Sequence, residues 1–210
     1  MNKLLHHAIV VWALLASHAS AYFVLTNMAP VVAQRLDPII SEGNAITSGH
    51  AHAFLGSNQV RANMTYHSLR KSVKGWKKNV PFTASGVCSS TGLWADASSY
   101  WSPPLYYRNN NSTFQSVPFG SARLYYFNRV GSKETAAGVK NAKAFPKRLR
   151  MIAGNAMQFD PNKFNSSNHA PRKATSFVCL NYKGGSSGGP NIPTGQCPDG
   201  LRMQITFPSW

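Results

Sequence analysis

Apolar and polar positions in this chain recur with strand-like spacing, in short runs rich in β-branched and aromatic residues and cut off by Gly, Pro, Asn or Ser. Runs of this kind predict strands at Ala51–Leu55, Gln59–Tyr66, Tyr100–Tyr107, Ala122–Asn128, Arg148–Ala153, Ser176–Tyr182 and Leu201–Phe207. Helical periodicity is weak throughout. Thr135–Ala144 is the one helical candidate, weakened by Gly138. The connections are long and polar, as at 109–112 and 160–171, and loops of that kind in a compact domain tend to be functional surfaces. The expected fold is mainly β, a single-domain β-sandwich or jelly-roll-like arrangement with long irregular loops.

The first 21 residues read differently. Lys3, an apolar core from Ala8 to Ala16 and the small residues Ala19-Ser20-Ala21 form a secretory signal pattern, with cleavage expected after Ala21. His6, His7, Ser17 and His18 leave the apolar run short of the roughly 20 residues that a membrane span needs. The expected mature chain is therefore a single β-rich domain over 22–210, secreted to the extracellular space or cell wall without stable membrane insertion. Its core motifs run over 35–210.

Charge narrows the partners. Loss of Lys3 with the signal leaves 21 of the 22 Lys and Arg against six acids, a net +15 in place of +16. Such an excess draws polyanions from a distance, although surplus surface Lys also serves plain solubility. The densest basic patches are Arg70-Lys71, Lys74, Lys77-Lys78 and Lys147-Arg148 with Arg150. None sits in the motif context of a nucleic-acid module, so nucleic acid is not an expected partner.

Three cysteines, Cys88, Cys179 and Cys197, suit an oxidising compartment but leave one without an intrachain partner. Cys179 and Cys197 flank the Gly/Ser-rich stretch GGSSGGPNIPTGQ, and a disulfide between them is expected to stabilise by about 3 kcal/mol through loop closure. GGSSGG itself reads as flexible loop. Asn63, Asn110, Asn111 and Asn165 each open an Asn-x-Ser/Thr triplet, the acceptor for N-glycosylation in a secreted eukaryotic protein.

Chemistry concentrates in RLDPIISEGNAITSGHAHAFLGSNQV, residues 35–60. On an extended chain His50 and His52 share a face, and with Asp37, Asp96 and Arg35 they form the candidate site. Two imidazoles with a carboxylate could hold a divalent metal, with His50 and His52 as ligands, or exchange protons as general acid and base. The competing reading is a pair of hydrogen-bonded structural histidines. The second candidate is the aromatic run from Trp94 to Tyr107, where Tyr100 and Trp101 could stack on sugar rings beside Asp96. Alternation places at least half of this run in the core. Glycoside cleavage generally needs two carboxyl groups, and Asp37 with Asp96 is the pair that the sequence singles out. No serine-hydrolase elbow, zinc-protease helix or phosphate loop is present.

FPKRLRMIAG at 145–154 and CPDGLRMQIT at 197–206 share Pro, Leu, Arg and Met in register, which supports two similarly built strands but no duplication. Taken together, RLDPIISEG and SGHAHAFLGSN at 35–58, ADASSYWSPPLYY at 95–107, FPKRLRMIAGN at 145–155, FVCLNY at 177–182 and CPDGLRMQITFPSW at 197–210 resemble a family of secreted fungal proteins. Its domain of unknown function is numbered nineteen ninety-six and often accompanies wall-associated WSC modules. The resemblance implies an extracellular fungal setting and characteristic polar positions at Arg35, Asp37, His50, His52, Asp96, Tyr100 and Trp101, but no reaction. The family's last motif continues as FPSCWDG where this chain reads FPSW, a departure that implies a shortened or inactive variant and accounts for the odd cysteine.

The expected function is binding or cleavage of cell-wall or other extracellular polysaccharide, with Asp37, His50, His52 and Asp96 lining the site and Arg35, Tyr100 and Trp101 contacting sugar. A non-catalytic, basic, wall-associated protein that binds acidic polymers is the rival.

Overall fold

A computed structural model describes residues 22–43, 49–73, 89–93, 96–155 and 174–208. The expected signal segment, Cys88, Trp94, the basic residues Lys74, Lys77 and Lys78, and the Asn165 triplet lie outside these residues. The chain is mainly β. It falls into two compact units, Met1–Phe145 and Pro146–Trp210.

In the first unit, β2 (Pro30–Gln34), β3 (His52–Gly56) and β4 (Ser99–Ser102) form an antiparallel sheet with β3 in the centre. β1 (Tyr22–Met28) pairs with β7 (Ala122–Phe127), and β5 (Tyr106–Arg108) pairs with β6 (Phe114–Ser116) as a hairpin. Two helices, α1 (Tyr66–Val73) and α2 (Ser132–Ala136), complete its regular structure among the described residues. In the second unit, β8 (Thr175–Cys179) lies between β9 (Ser187–Gly189) and β10 (Leu201–Ile205). No described helix is long and apolar enough to cross a membrane.

The central strand HAFLG is buried along its whole length, and its two faces serve two cores. Phe54, fully buried, packs with Leu36, Val60 and Met64 on one face, flanked by Val32, Leu69 and Trp101. Leu55 packs with Leu25 and Met28 on the other, flanked by Tyr100, Leu124 and Tyr126. Alternation along β7 does the same at the next sheet, where Ala122, Leu124 and Tyr126 face inward and Arg123, Tyr125 and Phe127 face solvent.

Several elements differ from the pattern-based expectation for local reasons. Val60 and Met64 are buried, as a strand at 59–66 would require, but the backbone turns there and enters α1. Thr65 and Ser68 cap this helix reciprocally: Ser68 N donates to Thr65 Oγ1 at 3.2 Å and Thr65 N donates to Ser68 Oγ at 2.8 Å. Pro103-Pro104 divides the expected strand 100–107 into β4 and β5, because proline has no N–H for the ladder. Residues 148–153 form no strand; Arg148 has a φ of 69°, and Leu149 N bonds the Pro146 carbonyl in a turn. The helix expected at 135–144 is shorter and begins earlier, ending before Gly138, whose φ is 81°. β1, β2 and β6 are strands that the pattern did not single out.

The expected loop GGSSGG supplies β9 instead. A Cβ on Gly188 would lie 3.1 Å from Val178 Cγ2 and 3.2 Å from the Phe177 carbonyl, so the missing side chain is what lets this segment close on β8. The Cys179–Cys197 disulfide forms as expected, joining β8 to the turn before β10 with a Cα–Cα distance of 5.0 Å.

Candidate functional site

The expected Asp37, His50, His52 and Asp96 cluster divides over the two faces of the β2–β3–β4 sheet. Gln34 pairs with His52, and the chain leaving β2 passes the His52 ring, so that Leu36 O and His52 Nδ1 lie 2.6 Å apart. The carbonyl only accepts, so Nδ1 carries the proton and Nε2 keeps the lone pair in the neutral ring. This imidazole is buried, 5% exposed, edge-on to Phe54 with ring centroids 6.3 Å apart. His50 lies just outside β3 with its ring centroid 6.3 Å from that of His52, as a spacing of two on extended chain predicts.

Asp37 follows Leu36 in the same turn and is 7% exposed. Its Oδ1 accepts the backbone N–H groups of Ile39 and Ile40 at 2.9 and 2.8 Å, which closes the turn after β2. Arg35, two residues earlier, is exposed. The first face thus carries His50 and His52, with the His52 ring held by the turn to which Asp37 belongs. Among the described residues, no group of three or more His, Cys, Asp or Glu is arranged to hold a metal ion.

Asp96 belongs to the second face. Tyr100 donates its hydroxyl proton to Asp96 Oδ2 at 3.0 Å, and Asp96 Oδ1 accepts the Ser98 N–H at 2.8 Å. Tyr126 reaches the Tyr100 hydroxyl from β7 at 2.9 Å. With the single proton of Tyr100 committed to the carboxylate, Tyr126 is the donor in this second bond. Burial raises both phenols above their ordinary range, and the negative charge of Asp96 raises each further. Trp101, the other expected sugar contact, packs on Phe54 in the first core with ring centroids 5.7 Å apart.

The exposed aromatic chemistry lies elsewhere in the first unit. Tyr125 and Phe127 on the solvent face of β7 are 52% and 47% exposed. Their rings are nearly parallel, 9° apart in plane with centroids separated by 6.2 Å. The Arg129 guanidinium sits 4.2 Å from the Phe127 ring centroid, and Arg123 occupies the same strand face. Just beyond β7, Asn128, Val130, Thr135, Val139 and Lys140 line an open hollow of about 450 Å³. A similar pairing recurs on the β5–β6 hairpin, where Arg108 is directly opposite Phe114, and Tyr106 shares their face. The alternation in ARLYYFNR was the available signal for the β7 surface, since it leaves Arg123, Tyr125 and Phe127 on a single face.

Neither the curated proteins nor the solved structures contain a match to this chain. Residues 37–210 match the family described as Domain of unknown function (DUF1996), and they span the β2–β3 turn with its histidines, the Asp96–Tyr100–Tyr126 chain, the β7 surface and the disulfide-linked second unit. On that match over most of its length, the chain belongs to the DUF1996 family.

Proposed function

We propose that this protein is secreted and acts as a non-catalytic binder of acidic extracellular or cell-wall polysaccharide. The observation that carries the reading is the Tyr125–Phe127 pair with Arg129 on the Phe127 ring. Flat, half-exposed rings accept the C–H faces of sugars, and adjacent guanidinium groups pair with carboxylate or sulfate on the same polymer. A net charge of +16 for the full chain, +15 without Lys3, adds long-range attraction for such a polymer. An open hollow follows β7 in the chain, with Lys140 on its wall. The N-terminal signal pattern supports the extracellular setting.

The bonds made by the expected catalytic groups favour binding over cleavage. Asp37 closes a turn, His52 holds Leu36, and Asp96 joins β4 to β7 through two tyrosines.

The test is titration calorimetry with polygalacturonate and its fully methyl-esterified form, on the wild type, Y125A/F127A, R129A and H50A. The expected result is salt-sensitive binding to the acidic polymer, weakened at least tenfold in Y125A/F127A and less in R129A, and unchanged in H50A. Reducing-end assays are expected to detect no product. Equal binding by Y125A/F127A, or new chain ends that vanish in H50A, sinks the proposal.

A further inference from the structure

The tip of the β5–β6 hairpin carries two overlapping glycosylation triplets, Asn110-Asn111-Ser112 and Asn111-Ser112-Thr113, and the structure separates them. The Thr113 hydroxyl donates to Asn111 Oδ1 at 2.6 Å, and the Thr113 N–H donates to the same oxygen at 3.1 Å. Asn109 Nδ2 donates to Thr113 Oγ1 at 3.1 Å, which orients that hydroxyl toward Asn111. Two donors on the carbonyl oxygen draw electron density from the carboxamide and make an Nδ2 proton easier to lose. The corresponding hydroxyl of the other triplet is engaged differently: Ser112 Oγ accepts from Arg108 at 3.2 Å, and Ser112 itself has a φ of 63°.

The remaining described triplet is also engaged. In Asn63-Met64-Thr65 the Thr65 hydroxyl caps α1, and Met64 between them is buried. Asn111 combines an exposed position at a hairpin tip with its hydroxyl in place.

We infer that Asn111 is the N-glycosylated residue of this hairpin and that Asn110 stays unmodified. The donor is a polyprenyl-pyrophosphate-linked oligosaccharide supplied by a secretory transferase. Asn111 Nδ2 forms a bond to the sugar C1, the C1–O bond breaks, the pyrophosphate leaves with the electron pair, and one amide proton is released. The hydrogen bonds that set this geometry all lie within residues 108–113. The inference rests on the secretory route of the proposed function but not on polymer binding.

The test expresses the full chain in a yeast secretory host beside a reporter glycoprotein. The glycan is removed enzymatically in ¹⁸O-water, so that a formerly occupied Asn becomes labelled Asp, and peptides are read by mass spectrometry. The expected label falls on residue 111 in the wild type and in S112A, which destroys only the Asn110 triplet. T113A, which leaves the Asn110 triplet intact, is expected to lose the hairpin label. Label on Asn110 in the wild type, a labelled hairpin in T113A, or an unlabelled hairpin alongside a glycosylated reporter overturns the inference. Polymer titration of the same preparation reports on the proposed function separately.

Discussion

Tyr100 and Trp101 are neighbours in the chain and belong to different cores: Tyr100 is paired with Leu55 and reaches Asp96 and Tyr126, whereas Trp101 is paired with Phe54 and packs on it. Their separation follows from strand geometry, since successive side chains leave opposite faces. It also places the hydrogen-bonded Asp96 on the face away from His52, with consequences that can be measured.

The Asp96–Tyr100–Tyr126 chain links β4 to β7 through partly buried groups. Y100F removes the donor to Asp96 and the acceptor for Tyr126, and is expected to cost about 1–3 kcal/mol; Y126F leaves the Asp96 bond in place and is expected to cost less. Chemical denaturation checks both.

Both tyrosines have phenol pKa values raised above the ordinary 10.0 by burial. A folded-state value above the unfolded one means that the unfolded chain gives up its protons first. The contribution to stability is thus complete below pH 10 and lost progressively above it. Denaturation midpoints measured between pH 8 and 11 are expected to fall at the alkaline end, and less steeply in the Y100F/Y126F variant.

Asp37 holds two backbone N–H groups with one oxygen. D37A leaves both without that acceptor in a partly buried turn, and about 1–3 kcal/mol of stability is expected to be lost. H52A removes the bond to Leu36 together with a buried ring against Phe54, so a loss of similar or greater size is expected. Polymer affinity of the folded fraction is expected to stay at the wild-type value in each. A large loss of affinity in a variant with an unchanged melting temperature speaks for a direct functional role of the histidine turn.

Gly56 ends β3 with a φ of 85°, and a Cβ there would collide with the Ser98 carbonyl oxygen. The neighbouring backbone is fixed by Ser57 N bonding to Ser98 O and Ser90 N bonding to Gly56 O. G56A is expected to destabilise by about 2 kcal/mol or more, from the left-handed backbone and the displaced carbonyl together. Thermal unfolding measures the effect, and a change under 0.5 kcal/mol would refute this account of the strand end.

Cys179 and Cys197 close a loop with a sequence separation of 18. Their replacement by serine is expected to lower stability by about 3 kcal/mol on the chain-entropy estimate. Hydrogen exchange at the β8–β10 ladder is expected to accelerate in that variant, which locates the loss in the second unit.

The strand segments legible in advance were those whose local signals agreed. HAFLG, ARLYYF, TSFVC and LRMQI have β-branched or aromatic content within turn-forming boundaries, and each forms a strand close to its expected limits. The run at 59–66 was misleading because Val60 and Met64 supply apolar contacts from a turn as readily as from a strand. Its decisive feature was Thr65-x-x-Ser68, a helix-start pair weaker as a sequence signal than one ending in Glu or Gln. In the candidate site, the adjacency of His50 and His52 followed from a spacing of two. The placement of Asp96 could not follow from spacing, because it depends on which β3 residue is opposite Tyr100.

The sequence by itself determined the β character of the chain and its strong positive charge, pointed to the Cys179–Cys197 pairing, and supplied the histidines, aromatics and arginines. Tertiary structure alone decided which of those groups meet. It buried His52 and Asp37 at one turn, joined Asp96 to Tyr100 and Tyr126 across another face, and left Tyr125, Phe127 and Arg129 on the surface. The physical reason is register: alternation fixes which residues share a face, but a shift of one residue in strand pairing exchanges the faces, and only the packed cores around Phe54 and Leu55 select between them.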